Sequence, residues 1–268
     1  MKQHPHDTPD VLRVGHLLAD AARLATLPYF RTAALSADNK LAGGYDPVTE
    51  ADRAAERAMR EILSKERPDD AILGEEYGSA SGQSGLTWVL DPIDGTRGFV
   101  SGTPTWGVLI ALSDDNGPFF GIIDQPYIGE RFIGTSYDAM LTGSSGTHPL
   151  KTRTARDISE ATVFTTFPEV GSAAEGAAFA EVSRKARLTR YGMDCYAYAL
   201  VAAGQVDLVI EAGLQAYDIQ APIAVVQAAG GIVTDWQGGP AHLGGRAIAA
   251  ANAEIHAQAL AILRDCAP

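Results

Sequence analysis

Two stretches near the start of the chain carry apolar residues at helical spacing. The first follows the tripeptide Thr8–Asp10, which supplies a helix cap and an acidic first turn. Its apolar positions are Val11, Val14, Leu18 and Ala22. After a loop rich in glycine and polar residues, a second helix is predicted from Thr49 to about Ser64.

Beyond Pro68 the pattern changes to short apolar runs bounded by glycine and proline. Such runs are typical of β-strands at short spacing, and we expect them to pair in antiparallel fashion. The predicted strands are Ala71–Gly74, Thr87–Leu90, Trp106–Ser113, Phe119–Asp124 and Arg131–Thr135.

The second half of the chain alternates strands with helices. Predicted strands are 161–166, 207–211, 232–235 and 247–251, and predicted helices are 173–186, 194–203, 218–229 and 255–264. This alternation favours a layered α/β arrangement. We therefore expect an α/β protein with an α+β half at 1–150 and an α/β half at 151–268, divided near the Gly/Ser stretch 142–147.

Charge and composition narrow the functional classes. The 268 residues are 46% hydrophobic, enough for a real core, and carry a formal charge of −12. Such a surface argues against binding nucleic acid or an anionic membrane. A protein of this charge that handles an anionic phosphate needs local positive charge, and bound cations are its simplest source.

The sequence also indicates a compartment. The first ten residues lack the apolar stretch of a signal peptide, and no run of 18 apolar residues predicts a membrane span. The only two cysteines, Cys195 and Cys266, have no CxxC spacing, so neither a disulfide framework nor a zinc site is indicated. We expect a cytoplasmic protein.

The segment Asp91-Pro92-Ile93-Asp94-Gly95-Thr96 directly follows the apolar run Trp88-Val89-Leu90. Two carboxylates at the end of a buried strand are unfavourable unless they are paired or bind metal. Gly95 and Thr96 follow where a turn can aim backbone N–H groups at an anion. A turn with side-chain caps is the alternative interpretation.

Three other acidic segments accompany this one. Glu75 lies in Gly-Glu-Glu after a predicted strand, Asp52 ends the segment 46–52, and Asp218 opens a predicted helix. Each has a structural alternative: a solvated turn for Glu75, a capping box with Thr49 for Asp52 and a helix N-cap for Asp218. Together, Glu75, Asp91, Asp94 and Asp218 form an all-oxygen ligand set, which suits magnesium or manganese better than zinc.

In this order, the segments resemble the inositol monophosphatase superfamily of lithium-sensitive, magnesium-dependent phosphatases. The motifs that carry the resemblance are DPIDGT preceded by WVL, GEE, DPVTEAD and the YD…AGG segment. Within that superfamily the chain looks most like histidinol-phosphatases of the inositol-monophosphatase-like type, notably in RYGMDCYAYALVAAGQVDLVIEAGL. The resemblance implies a layered αβαβα sandwich, a homodimer and a small phosphate monoester as substrate.

The resemblance also implies a role for each matched residue. Glu75, Asp91, the carbonyl of Ile93, Asp94 and Asp218 would hold two or three Mg²⁺ ions, with Mn²⁺ as a substitute. Asp52 and Thr96, with Glu75, would activate water. Gly95, Thr96 and Lys40 would bind phosphate. Substrate-side positions would be Asp194, Glu211 and Arg190.

Three departures from inositol phosphatases bear on the substrate. Arg97 and Phe99 replace the usual Thr-Asn-Phe after DGT, and Asp194-Cys195 stands where those enzymes carry small neutral residues. The first two departures weaken the case for an inositol phosphate as substrate. The third is Pro222 near the start of a predicted helix, where its missing N–H is tolerated only in the first turn.

The mechanism expected from these residues is direct attack by activated water, without a phosphoenzyme. Inositol phosphates, sugar bisphosphates and phosphoadenosine nucleotides are alternative substrates. Haloacid-dehalogenase-type phosphatases also use an Asp-rich strand end, but they space the two Asp at i, i+2, whereas Asp91 and Asp94 are at i, i+3. A metal-dependent phosphate sensor is the alternative that is not an enzyme.

Overall fold

The computed structural model describes residues 6, 8–32, 37–39, 47–154 and 157–266. Lys40 and Asp46 lie outside these ranges. The helices of the described chain are α1 (Pro9–Thr26), α2 (Glu50–Glu66), α3 (Thr96–Ser101), α4 (Ala173–Lys185), α5 (Asp194–Ala202), α6 (Ala216–Ala228) and α7 (Ala253–Leu263). A short 3-10 helix spans Ile158–Glu160.

The strands of the first half are β1 (Ala37–Asn39), β2 (Pro47–Thr49), β3 (Ala71–Gly74), β4 (Gly78–Ala80), β5 (Thr87–Asp94), β6 (Gly107–Asp114), β7 (Gly117–Gln125), β8 (Glu130–Gly134), β9 (Ala139–Gly143) and β10 (Gly146–Pro149). Those of the second half are β11 (Thr162–Thr165), β12 (Leu188–Tyr191), β13 (Leu208–Leu214), β14 (Ile232–Thr234) and β15 (Gly245–Ala250).

An eight-stranded sheet in the order β10-β9-β8-β7-β6-β5-β3-β4 organises the first half. The expectation of purely antiparallel pairing is wrong at one place, because β3 runs parallel to β5. That exception matters for the site, since the carboxyl ends of parallel neighbours lie at the same edge of a sheet. The Gly/Ser stretch 142–147, where a boundary is expected, contains the turn of the β9–β10 hairpin.

Five layers stack across the molecule. Helices α1 and α2 pack their apolar faces, including Leu18 and Met59, against Trp88 and Phe120 on the outer face of the first sheet. Helices α5 and α6 fill the space between the first sheet and the five-stranded sheet β12-β11-β13-β15-β14. Helices α4 and α7 cover the far face of that second sheet. The predicted αβαβα sandwich is therefore confirmed.

The middle helix layer belongs to one core shared by both sheets. Val89 and Leu109 of the first sheet, Ile219 of α6 and Val209 of the second sheet lie in the same buried cluster. A division into 1–150 and 151–268 stays a prediction about domains. Within the described residues, none of the helices combines the length and apolar character needed to cross a bilayer.

A buried carboxylate joins α1 to the first sheet. Asp124 on β7 is fully buried and accepts hydrogen bonds from Arg23 Nε at 2.6 Å and from Arg131 Nε at 2.6 Å. The Arg131 side chain is 9% exposed and the Arg23 side chain 26%. Because both guanidinium groups are largely shielded from water, water cannot fully replace the Asp124 carboxylate as their partner. The triad of Arg23, Asp124 and Arg131 therefore fixes α1 against the first sheet.

We expect Asp124→Asn to lower the free energy of unfolding by about 3 kcal/mol, because the change leaves two partly buried cations without their shared anion. Urea unfolding followed by circular dichroism measures the effect. The matched control is Glu181→Gln, which breaks an exposed pair with Arg184 and should change stability by less than about 0.5 kcal/mol. Equal, small effects of the two variants would contradict the proposed role of the triad.

Candidate active site

A bulge in β5 turns two carboxylates to the same side. In a regular strand, residues three apart point to opposite faces of the sheet. Between Asp91 and Asp94 the pairing with β6 shifts: Asp91 pairs with Leu109 and Asp94 with Gly107, so three steps along β5 match two along β6. The extra residue reverses the alternation, and Pro92 fits this segment because a bulge leaves a backbone N–H unpaired.

Asp218 approaches the bulge from the middle helix layer. Helix α6 begins at Ala216, so the N-cap is Gln215 and Asp218 is the third helical residue. The alternative interpretation of Asp218 as the N-cap is therefore wrong. Its Oδ2 accepts the Gln215 N–H at 2.7 Å. The helix continues through the buried Pro222 to Ala228, although proline lacks the N–H that the Asp218 carbonyl would accept.

One carboxylate oxygen from each of Asp91, Asp94 and Asp218 lies within 4.8 Å of the other two. These three hard oxygen donors, close together and largely shielded from water, have the chemistry that suits a divalent cation such as Mg²⁺ or Mn²⁺. Glu75 follows β3 at the same sheet edge and lines the same cleft. The residues present therefore fit the metal that the sequence predicts.

The electrostatics of the site point the same way. Burial raises the pKa of Asp91 well above its ordinary value, and the neighbouring carboxylates of Glu75, Asp94 and Asp218 raise it further. Burial also raises the pKa of Asp94, with added repulsion from Asp194 and Asp218, although the Cys195 N–H donates to Asp94 Oδ2 at 2.5 Å. Buried carboxylates that repel one another in this way are relieved when a cation binds between them.

The cleft around these carboxylates has a volume of about 380 Å³. Its walls come from the end of β5, the start of α3, and the segments that precede α5 and α6. The lining residues are Glu75, Asp91, Ile93, Asp94, Gly95, Thr96, Arg97, Thr166, Phe167, Asp194, Glu211, Ala212, Gly213, Leu214, Gln215, Tyr217 and Asp218.

Asp52 and Thr96 meet at one side of the cleft. Asp52 forms the expected capping box with Thr49, whose N–H and hydroxyl donate to Oδ2 at 2.8 Å and 2.5 Å. Its other oxygen, Oδ1, is 3.5 Å from the Thr96 hydroxyl, which is also 3.0 Å from the Ile93 carbonyl. Burial raises the pKa of Asp52 to about 7, against the hydrogen bonds from Thr49. Oδ2 of Asp52 thus caps helix α2, whereas Oδ1 faces the Thr96 hydroxyl.

Gly95 is the turn between β5 and α3, and its backbone needs glycine. Its φ of 82° lies in the left-handed region, and a Cβ there would come within 2.8 Å of Asp194. Asp194 itself has a φ of 46°, which is uncommon for a residue other than glycine. This backbone sets the Cys195 N–H on Asp94 and brings the Asp194 carboxylate over the α3 turn.

Asp194 and Glu211 form an acidic wall of the cleft, which begins at Asp194 beside Asp94. Glu211 lies at a second bulge, between β13 and β15, and accepts the Thr166 N–H at 2.6 Å. Burial raises the pKa of Glu211 to about 7, against hydrogen bonds from Thr166 and Thr165. Burial likewise raises the pKa of Asp194 to about 6. Both carboxylates therefore gain from a cationic neighbour.

Not every expected residue is in the cleft. Arg190 is exposed on β12 and is not one of the cleft-lining residues. Lys40 falls outside the described residues. The arginine that does line the cleft is Arg97, whose guanidinium carbon lies 4.7 Å from the ring centre of Phe167. Neither Arg97 nor Phe167 is among the site residues predicted from the sequence. The position of Arg97 directly after the DPIDGT segment indicates that it lies near the site, whereas no sequence motif marks Phe167.

Comparisons with known proteins agree with this geometry. Residues 8–267 match the model of the inositol monophosphatase family. The bifunctional phosphatase IMPL2 of Arabidopsis thaliana is 40% identical, covering 92% of this chain and 73% of that protein. A histidinol-phosphatase of Streptomyces coelicolor is 37% identical, covering 97% and 98%. The structure of an inositol monophosphatase from Zymomonas mobilis superposes with a TM-score of 0.83 at 39% identity, covering 95% and 97%.

The family match spans nearly the whole chain, and the three relatives named above are phosphatases. Both the layered fold and the converging carboxylates are consistent with that kinship. The chain belongs to the inositol monophosphatase family.

Proposed function

We propose that this phosphatase is magnesium-dependent and hydrolyses L-histidinol phosphate to L-histidinol and phosphate. The observation that carries the choice of substrate is the acidic wall formed by half-buried Asp194 and buried Glu211 in the same cleft as the metal-binding carboxylates. Histidinol phosphate carries an ammonium group and an imidazole that can be protonated, whereas inositol is a neutral polyol. Within the protein this wall is compensated only in part: Arg97 lies near Asp194, and Thr165 and Thr166 donate hydrogen bonds to Glu211. A cationic leaving group adds further positive charge there, whereas a neutral polyol adds none.

The ligand set supports the metal requirement. Glu75, Asp91, the Ile93 carbonyl, Asp94 and Asp218 would hold the ions at the end of β5. When bound, divalent cations supply the positive charge that polarises a phosphate ester and acidifies an attacking water. The Asp91 carboxylate is held in one orientation for metal binding, because its Oδ1 accepts a hydrogen bond from the Ile93 N–H at 3.0 Å.

The chain's own groups orient the reaction. The N–H groups of Gly95 and Thr96, at the tight turn before α3, are the donors assigned to the phosphoryl oxygens. The Thr96 hydroxyl can accept a hydrogen bond from the attacking water while its own proton points to Asp52 or to the Ile93 carbonyl. When the Thr96 proton points to Asp52, a proton leaving the water passes to the Thr96 oxygen as the Thr96 proton passes to Asp52 Oδ1, so Asp52 is the final acceptor.

On the leaving-group side, Asp194 and Glu211 would bind the ammonium, and the Phe167 ring at the cleft wall would face the imidazole. The relatives support a small-molecule phosphatase and include both a histidinol-phosphatase and an inositol monophosphatase. Inositol 1-phosphate is therefore the competing substrate. A homodimer and a cytoplasmic location, both expected from the sequence, stay predictions that gel filtration and cell fractionation test.

We expect Asp91→Asn to reduce magnesium-dependent activity to about a hundredth or less, because it removes the charge of the central metal ligand, and the loss of a group that only supports a ligand already costs about 10- to 100-fold. The folded protein should survive, since the change also removes repulsion between buried carboxylates. Melting curves with EDTA and with MgCl₂ separate these effects: the variant should melt no lower than the wild type in EDTA, and magnesium should no longer raise its melting temperature. A variant that keeps its magnesium-dependent activity would refute the ligand assignment.

We expect Glu211→Gln and Asp194→Asn to reduce kcat/KM for histidinol phosphate by about tenfold or more beyond their effect on p-nitrophenyl phosphate. The generic ester is neutral on its leaving-group side and does not use the acidic wall. The same assay with inositol 1-phosphate compares the two candidate substrates directly in the wild type.

The control for this experiment is Glu169→Gln, an exposed carboxylate two residues beyond Phe167 that does not line the cleft. It should leave both substrates unaffected. Equal losses on histidinol phosphate and the generic ester in the Glu211 and Asp194 variants would mean that these residues serve the fold or the metals. If the wild type hydrolyses no phosphate ester, the metal-dependent phosphate sensor is the interpretation that remains.

A further inference from the structure

One fully buried carboxylate near the site has no role in the proposed reaction. Glu56 lies on α2, one turn after Asp52, and is 0% exposed. An ionised carboxylate is buried in a protein only when charged or polar groups compensate it. Glu56 has three such donors, and two of them belong to the segment that carries Glu75.

The donors are two consecutive backbone N–H groups and one guanidinium. The Glu76 N–H donates to Glu56 Oε2 at 2.7 Å, and the Tyr77 N–H donates to Oε1 at 3.2 Å. Arg60, one turn further along α2, donates from Nε to Oε1 at 2.8 Å. Arg60 also donates to the Gly78 carbonyl, so α2 binds both N–H and carbonyl groups of this turn.

The turn between β3 and β4 is therefore fixed on both sides of Glu75. Before the turn, the Glu75 N–H donates to the Leu90 carbonyl of β5 at 3.2 Å, which extends the parallel ladder by one residue. After it, Glu56 holds the next two N–H groups. The direction in which the Glu75 side chain leaves the backbone depends on both attachments.

Gly74 gives the Glu56 carboxylate the room to reach this turn. A Cβ on Gly74 would lie 2.0 Å from Glu56 Oε1 and 2.9 Å from Arg60 Nη2. Any larger residue would displace the carboxylate from the N–H groups. The displaced atoms are the ends of flexible side chains, so the fold itself can accommodate a methyl group there.

We propose that Glu56 is a positioning residue for the metal site, which acts by holding the turn after Glu75 so that the Glu75 carboxylate faces the bound cation. The proposal rests on the assignment of Glu75 as a metal ligand under the proposed function. Glu56 does not touch the cleft, and Arg60 balances its charge. Its effect on the metal is therefore mechanical and passes through Glu75.

Binding of Mn²⁺, counted as free ion by electron paramagnetic resonance, tests the proposal on the full chain. Glu56→Gln presents an amide NH₂ in place of one acceptor, so one backbone N–H must move away. We expect Mn²⁺ affinity to fall by about 10- to 100-fold, the usual effect of losing a group that supports a metal ligand. The Mg²⁺ concentration needed for half-maximal activity should rise by a similar factor, while kcat at saturating Mg²⁺ stays near that of the wild type.

Four further variants make the result specific. Glu61→Gln, the same chemical change at an exposed position of α2, should leave Mn²⁺ affinity unchanged. Gly74→Ala keeps every charge but displaces the carboxylate, and should weaken Mn²⁺ binding in the same direction as Glu56→Gln. In the double variant Glu56→Gln/Glu75→Gln, affinity should be no lower than in Glu75→Gln alone, because Glu56 acts through Glu75.

Urea unfolding curves confirm that each variant is folded, and Gly74→Ala supplies the test if Glu56→Gln is not. Unchanged Mn²⁺ affinity in a folded Glu56→Gln or Gly74→Ala protein, or losses that add in the double variant, would overturn the proposal. A Glu75→Gln protein that binds Mn²⁺ with the affinity of the wild type would also overturn the proposal, even if phosphatase activity is present. If Mn²⁺ affinity depends on Glu75 and on Glu56 as described but the wild type hydrolyses no ester, the proposed function fails and the positioning role stands.

Discussion

Mutual repulsion among carboxylates gathered at one buried point is the constraint on which the rest of this structure depends. Asp91, Asp94 and Asp218 converge within a few ångströms, in a chain whose formal charge is already −12. Left alone, such groups separate, take up protons or draw in water. The protein holds them in place by attaching each one to backbone that cannot move independently. Asp91 and Asp94 share a strand bulge, and Asp218 is held in the first turn of a buried helix.

The layers of the sandwich explain how distant parts of the sequence reach this point. The first sheet supplies Asp91 and Asp94, the middle helices supply Asp194 and Asp218, and the outer helix α2 supplies Asp52. Because α5 and α6 lie between the two sheets, their N-terminal ends face the carboxyl end of β5. The positions of these carboxylates therefore depend on how tightly the shared core is packed. A small shift of α5 or α6 would change the distances between the carboxylates.

Much of this arrangement could be predicted from the sequence because periodicity and turn chemistry are local signals. The starts of α1 and α2 follow from Thr8 and Thr49, both of which cap their helices as expected. The end of β5 could not be placed, since a strand that continues through Asp91-Pro92 requires a bulge, and the bulge is defined only by its partner β6. The parallel pairing of β3 with β5 is likewise a property of the sheet and not of either segment.

The site was predictable to the same extent. Motif residues next to strong strands are recognisable from the sequence, whereas Arg190, which the resemblance assigns to the substrate side, does not line the cleft. Phe167 and Glu56 carry no motif. Phe167 reaches the cleft because β11 ends beside Glu211, and Glu56 matters because a turn twenty residues later packs on α2. Both are long-range consequences of layering, which no local window contains.

The left-handed backbone at position 194 has an evolutionary consequence. Glycine, asparagine and aspartate adopt that conformation most readily, so few residue types can occupy the position without moving the Cys195 N–H away from Asp94. Between aspartate and asparagine, the size of the side chain barely changes while its charge switches from negative to neutral. Selection for a different leaving group can therefore act at this one codon, altering the charge of the pocket without disturbing the geometry that holds the catalytic carboxylates.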